Sequence, residues 1–193
     1  METDTLSAMD SELTWREISR RQRIKTPVFS LVTALREAPN GMQSTYFLLD
    51  SPDWVNIIPL TVNEAGEECV VMVRQYRHGS QRICLEFPGG LVDAGEDAGE
   101  AAVRELREET GYTPGEVEYL GSVNPNPALM GNRCSTYVAK NCTAGAPVGG
   151  DHDEFIQVVL LPVAELLAVP EEFDHAIMHA ALGMFVRWRN GHR

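Results

Sequence analysis

Five glutamates fall within the stretch Gly90–Tyr112, GLVDAGEDAGEAAVRELREETGY, and their spacing restricts both its fold and its surroundings. Glu105 and Glu109 are four residues apart and Glu108 lies three after Glu105, so on a helix all three stack on one face. Like charges placed so close repel one another. The natural compensation is a hard divalent cation, usually Mg²⁺, which takes one or two carboxylates and completes its shell with the phosphate oxygens of a substrate. Ala98, Ala101, Ala102 and Leu106 give the same segment a narrow apolar stripe that can lie close against a sheet while the glutamates point away.

The full spacing is Gly90, five residues, Glu96, seven residues, Arg104-Glu105-Leu106, one residue, Glu108-Glu109, one residue, Gly111-Tyr112. It resembles the Nudix box, the signature of hydrolases acting on a nucleoside diphosphate linked to another moiety. Every polar position and both glycines agree; the last position, usually aliphatic, is Tyr112. The resemblance implies an α/β class Nudix fold, an α/β/α sandwich around a mixed sheet. Val73-Arg74-Gln75-Tyr76-Arg77 followed by Leu85-Glu86-Phe87-Pro88-Gly89-Gly90 looks like the ADP-ribose pyrophosphatase branch, as does Pro127, fifteen positions beyond the box. The resemblance runs from about Trp54 to Leu161.

Carried onto matching positions, it implies that the backbone carbonyl of Gly89 and the carboxylates of Glu105 and Glu109 hold the metal, Mg²⁺ or alternatively Mn²⁺, with Glu108 assisting. Arg104, one residue from a ligand and surrounded by acids, is expected to orient those carboxylates by forked hydrogen bonds. Arg77 is placed where the branch puts an arginine on the diphosphate or terminal ribose. Glu86 is expected as an outer metal ligand or nucleotide contact, and Arg133 as a residue of the substrate-facing loop. The general base falls to Glu154, behind the glycines of 145–150, with Asp151 and Asp153 as neighbours and Glu108 as the alternative. The catalytic set is therefore Glu154, Glu108 and Arg104. His175 and His179, four apart, could pair on zinc, but no third ligand is evident and the box already accounts for the metal, so a solvated or cleft-facing helix surface is expected.

At 193 residues with 44% hydrophobic content, the chain is of single-domain size and can bury a sizeable core. Its net charge of −12 excludes a polymer phosphate backbone as partner, because that needs a basic stripe; a small nucleotide sugar remains compatible where a metal and a few arginines reverse the sign locally. Cys69, Cys84, Cys134 and Cys142 form no C-x-x-C pair and sit in apolar contexts, so reduced core thiols in a cytoplasmic protein are expected. The acidic start has no signal-peptide pattern and no apolar run is long enough to span a membrane, so no membrane partner is expected.

Residues 1–12 read as a polar tail, 13–50 as an N-terminal antiparallel strand region serving dimerisation, and 51–193 as the hydrolase domain. The basic cluster Arg20, Arg21, Arg23 and Lys25 precedes the expected start of order near Pro27. Strands are predicted over Val28–Leu35, Thr45–Leu49, Trp54–Val62, Glu68–Arg74, Val117–Val123, Cys134–Ala139 and Phe155–Leu161, with Trp54–Val62 and Glu68–Arg74 forming a hairpin. Ile177, Ala180, Ala181, Met184, Phe185 and Trp188 mark one face of a C-terminal helix. The branch forms homodimers in which an N-terminal aromatic stacks on the base, for which Trp15, Tyr46 and Trp54 are candidates. Hydrolysis of ADP-ribose to AMP and ribose 5-phosphate is the expected activity; the alternatives are another nucleotide such as GDP-mannose or NADH, or a regulator that binds without turnover.

Overall fold

The computed structural model describes residues 10–145 and 155–191, which fall into two compact units. The first runs to Pro52 and includes Asn126–Asn132; the second comprises Asp53–Pro125 and Arg133 onward. The polar tail expected over 1–12 lies mostly outside the described residues.

The first unit is an antiparallel sheet of β1 (Arg16–Lys25), β2 (Ser30–Glu37) and β3 (Gln43–Asp50), in that order. Order therefore begins before Pro27. β1 escaped the sequence reading because all ten of its residues are exposed, so it carries no apolar alternation. Cross-strand pairing holds it instead: Arg16 meets Glu37 at 2.8 Å, Arg20 pairs with Asp50, and Arg23 donates to the Thr33 hydroxyl at 2.8 Å. Leu49 donates its amide to the Leu129 carbonyl at 2.9 Å, tying in the 126–132 segment that carries Pro127.

The second unit is a mixed seven-stranded sheet. Its main path is β10 (Ile156–Pro162), β5 (Glu68–Arg77), β4 (Trp54–Val62), β9 (Cys134–Lys140), β8 (Glu116–Val123); β6 (Arg82–Glu86) pairs with β5 and β7 (Gly89–Leu91) with β4. Among the described strands of this sheet, only β4 and β9 run parallel. β4 splits one edge between two partners, Trp54–Asn56 on β7 and Leu60–Val62 on β5. Pro59, which has no N–H, lies in the gap between them, where no donor is needed. The hairpin predicted for β4 and β5 forms, with Leu60 opposite Val70 and Val62 opposite Glu68.

Helices cover both faces, as expected for the sandwich. α1 (Ala98–Thr110) seats Ala101, Ala102 and Leu106 against Val55, Ile57 and Ala139. α3 (Ala176–Gly191) covers the other face with Ile177, Met178, Ala181, Leu182 and Phe185, over Ile58, Met72, Leu85 and Phe87, joined by the short α2 (Val163–Leu167). Trp54 packs, partly buried, against this second core. All four cysteines are buried free thiols, and burial pushes Cys134 up to about 12. No helix among the described residues is long and apolar enough to cross a membrane.

Candidate active site

α1 starts where Asp97 caps it, its carboxylate accepting from the amides of Gly99 at 2.8 Å and Glu100 at 3.2 Å. It ends at Gly111, whose φ of 75° is the left-handed conformation glycine adopts without a Cβ penalty. With its alanine stripe on the sheet, the helix turns Glu105, Glu108 and Glu109 toward β7 and the loop before it.

Arg104 organises that face. Its Nε and Nη2 fork onto Glu96 at 2.9 and 3.0 Å, Nη1 reaches Glu105 at 2.8 Å and Glu108 at 3.1 Å, and Nη2 also donates to the Leu91 carbonyl at 3.0 Å. A guanidinium has five N–H donors, and here all five are engaged. Glu96 also accepts from the Asp93 amide at 3.0 Å, so Arg104 pins the 91–96 loop to the helix. The Arg104 hydrogen bonds, with that amide, hold Glu96 down at about 2, and Glu96 in turn raises Arg104.

The two glycines before the helix permit a close approach. A side chain at Gly89 would place its Cβ 2.2 Å from the Val55 carbonyl oxygen, and one at Gly90 would meet a Glu105 carboxylate oxygen at 2.5 Å. The Gly89 amide donates to Glu109 at 3.0 Å. Gly89, Glu105 and Glu109 are thus brought together, with Glu108 beside them on Arg104. Among the described residues no group of three or more His, Cys, Asp or Glu side chains forms a metal cluster. The predicted set is two carboxylates and a backbone carbonyl, all oxygen, which suits a hard cation.

A second cluster lies at the end of β5. Arg77 forks onto Glu86, Nε to one oxygen at 2.8 Å and Nη2 to the other at 2.7 Å. Glu86 is 1% exposed, whereas the Arg77 side chain is 42% exposed. Burial pushes Glu86 up, but the Arg77 hydrogen bonds, with His175 also close, outweigh it and hold the carboxylate at about 2. Sequence reasoning treated Arg77 and Glu86 as separate contacts; the β5–β6 register puts Arg77 opposite Arg82 and Glu86 opposite Val73, and the long Arg77 side chain reaches back along the pair to join Glu86. His175 belongs to this cluster, its Nδ1 3.4 Å from Glu86, while His179 stacks edge-on against Phe173. The only signal for His175 in the sequence was its spacing from His179, which reads as a solvated or cleft-facing helix surface and does not join it to Glu86.

Arg133 uses its guanidinium on Ser122, Nε to the hydroxyl at 3.0 Å and Nη2 to the carbonyl at 2.8 Å. Trp15 and Tyr46 meet edge to face at 5.6 Å in the first unit. Glu154, with Asp151 and Asp153, lies outside the described residues.

A mixed sheet between helices, with a box of carboxylates gathered by one arginine, defines a class of phosphate-directed hydrolase folds. The NUDIX domain model matches residues 54–182, and the chain belongs to that family. It is 35% identical over 137 residues to the methanol dehydrogenase activator of Bacillus methanolicus, covering 70% of this chain and 72% of that one. It is 38% identical over 125 residues to the ADP-sugar pyrophosphatase of Mus musculus, covering 61% of this chain and 56% of that protein. The structure matches a crystal structure of an ADP compounds hydrolase with a TM-score of 0.80 at 25% identity, over 93% of this chain and 96% of that one.

Proposed function

We propose that this chain hydrolyses the diphosphate bond of a nucleoside diphosphate sugar, with ADP-ribose, cleaved to AMP and ribose 5-phosphate, as the leading substrate. The observation that carries the reading is the Arg104 arrangement, in which one guanidinium positions Glu105 and Glu108 while Glu109 is held by the Gly89 amide. The mouse ADP-sugar pyrophosphatase and the ADP compounds hydrolase support the substrate class.

Gly89, Glu105 and Glu109, assisted by Glu108, would hold Mg²⁺, or Mn²⁺, which supplies charge neutralisation for the diphosphate and its leaving oxygen. Arg104 keeps the carboxylates aimed; Arg77 contacts the anionic diphosphate or ribose end. Water attacks one phosphorus as the bridging P–O bond breaks, and its proton passes to Glu154, assigned by its sequence position. The electron pair of the broken bond leaves with the bridging oxygen on the other phosphate.

The buried free thiols support a cytoplasmic address. Ile18, Ile24, Tyr46 and Phe47, all exposed on the β1–β3 sheet, support a homodimer formed through the N-terminal region.

The test is phosphatase-coupled phosphate release with Mg²⁺ over ADP-ribose, GDP-mannose and NADH. ADP-ribose should give the highest kcat/KM. A higher value for either of the others reassigns the substrate, and saturable binding with no turnover of any of them makes the protein a regulator.

A further inference from the structure

Glu100, Val103 and Arg107, on the outer flank of α1, have no part in the reaction scheme. Between that flank and β8, an edge strand of the sheet, runs an open groove of about 580 Å³, to which Val117, Tyr119 and Tyr137 also contribute. Tyr119 and Tyr137 stand opposite each other in the β8–β9 register, their ring centroids 5.4 Å apart. A Cβ on Gly99 would lie 3.4 Å from the Tyr137 ring, so that ring fills the joint between helix and sheet. Tyr119 is left outside it, 59% exposed. A large aromatic with aliphatic neighbours and a charged rim is the make-up of a protein contact face.

The rim charges carry the argument further. Arg104, Glu105 and Glu108 are paired with one another or with Glu96, and Glu109 accepts from the Gly89 amide. Glu100 and Arg107 are exposed and have no ion pair among the described residues. Seven residues make nearly two helical turns, so these two lie on one side of α1, about 10.5 Å apart along its axis.

That spacing is self-complementary. A two-fold axis perpendicular to a helix reverses its direction, so that residue i meets j of the other copy and j meets i. With the axis midway between Glu100 and Arg107, each glutamate meets the arginine of the opposite copy. The side chain on this flank nearest the midpoint is Val103, half-buried and uncharged, so no like charges face each other at the axis. A chain of net charge −12 repels its own copies at a distance, and a face that sets opposite charges together offsets that repulsion locally. Strand pairing through β8 is a poorer route, because a bulge between Tyr119 and Gly121 interrupts its register.

We propose that the α1–β8 groove is a self-association face: a second copy of this chain packs on it about a two-fold axis at Val103, with two reciprocal Glu100–Arg107 pairs and each Tyr119 seated in the opposite groove. The face lies wholly in the second unit, apart from the N-terminal strands, and the inference depends on neither the hydrolase reading nor the N-terminal contact.

Sedimentation equilibrium of the full chain tests it. Tyr119→Glu, which puts a charge at the centre of the contact, should halve the mass of the largest species, whether from dimer to monomer or, where the N-terminal strands also pair, from tetramer to dimer. Glu100→Arg and Arg107→Glu each set like charges against each other and should raise the Kd of that step at least about tenfold. Mixed in equal amounts, these two variants should associate with each other at least as tightly as wild type, since one copy is then positive and the other negative at both positions. That recovery also shows that both variants are folded. A mass that Tyr119→Glu leaves unchanged, or a mixture as weak as its components, would overturn the self-association face while leaving the hydrolase reading intact.

Discussion

Arg104 and Arg77 both grip carboxylates in forks, yet they differ in how many acids they hold. Arg104 spends all five donors on Glu96, Glu105, Glu108 and the Leu91 carbonyl. Nothing is left for a ligand, so its work is to hold acids that would otherwise repel one another. Arg77 places two donors on a single buried carboxylate while its own side chain is 42% exposed. The same side chain gathers several acids in one place and anchors to a single buried one in the other, and the roles proposed for them, scaffold and substrate contact, follow that difference.

The largest effect is expected at the proposed general base, Glu154. Glu154→Gln should slow turnover by about 10² to 10⁴ while KM and the Mg²⁺ midpoint stay unchanged. Asp151→Asn and Asp153→Asn should remain active. If one of these is crippled and Glu154→Gln is not, the base is misplaced within the right loop; if all three stay active, Glu108 becomes the candidate.

Arg104→Ala comes next, because three carboxylates lose their common partner. It should lower kcat by about 10–100-fold and raise the Mg²⁺ concentration needed for half-maximal rate. A Mg²⁺ midpoint equal to wild type would show that Arg104 does not organise the metal site.

Arg77→Ala should act on the other axis, raising KM about tenfold, the usual worth of a charged hydrogen bond, with the Mg²⁺ midpoint unmoved. A shift in that midpoint would merge the two clusters and erase the contrast between them.

The smallest effect is on stability in acid. Glu86 sits at about 2 against an ordinary 4.5. A carboxylate depressed in the folded state contributes stability that is fully present above its unfolded pKa and is lost as pH falls through the folded one. Tm should therefore drop between about pH 4.5 and 2, and Glu86→Gln should flatten that part of the curve. An unchanged slope would show that Arg77 does not hold Glu86 ionised.

The box was legible because its chemistry lies in one helix, where spacing translates directly into a face. Ala101, Ala102 and Leu106 are buried and the glutamates turn away, as the apolar stripe required. Strands with buried residues were legible for the same reason: β4 runs over the predicted Trp54–Val62, and β5 extends only three residues beyond the predicted Arg74. β1 was not legible, since its stability comes from cross-strand partners such as Glu37 and Asp50 that no local pattern reveals. β6 was not among the predicted strands because it is only five residues long and its buried run, Cys84, Leu85 and Glu86, shows no alternation and ends in a charge. The Arg77–Glu86–His175 cluster depends on strand register and on a segment nearly a hundred residues further along, so spacing in sequence could name its members without joining them. Arg133, expected from its loop position to face substrate, also has its guanidinium on Ser122 of β8, a contact that no local spacing suggests.

The central claim is that the carboxylates of the box helix carry metal-dependent hydrolysis. Its most direct test is the initial rate of ADP-ribose cleavage against Mg²⁺ concentration for wild type and Glu109→Gln. Wild type should show a saturable Mg²⁺ dependence that chelator abolishes, and the variant should lose at least about a hundredfold in kcat while keeping its fold. Wild-type turnover in Glu109→Gln, at the same Mg²⁺ midpoint, would contradict the account.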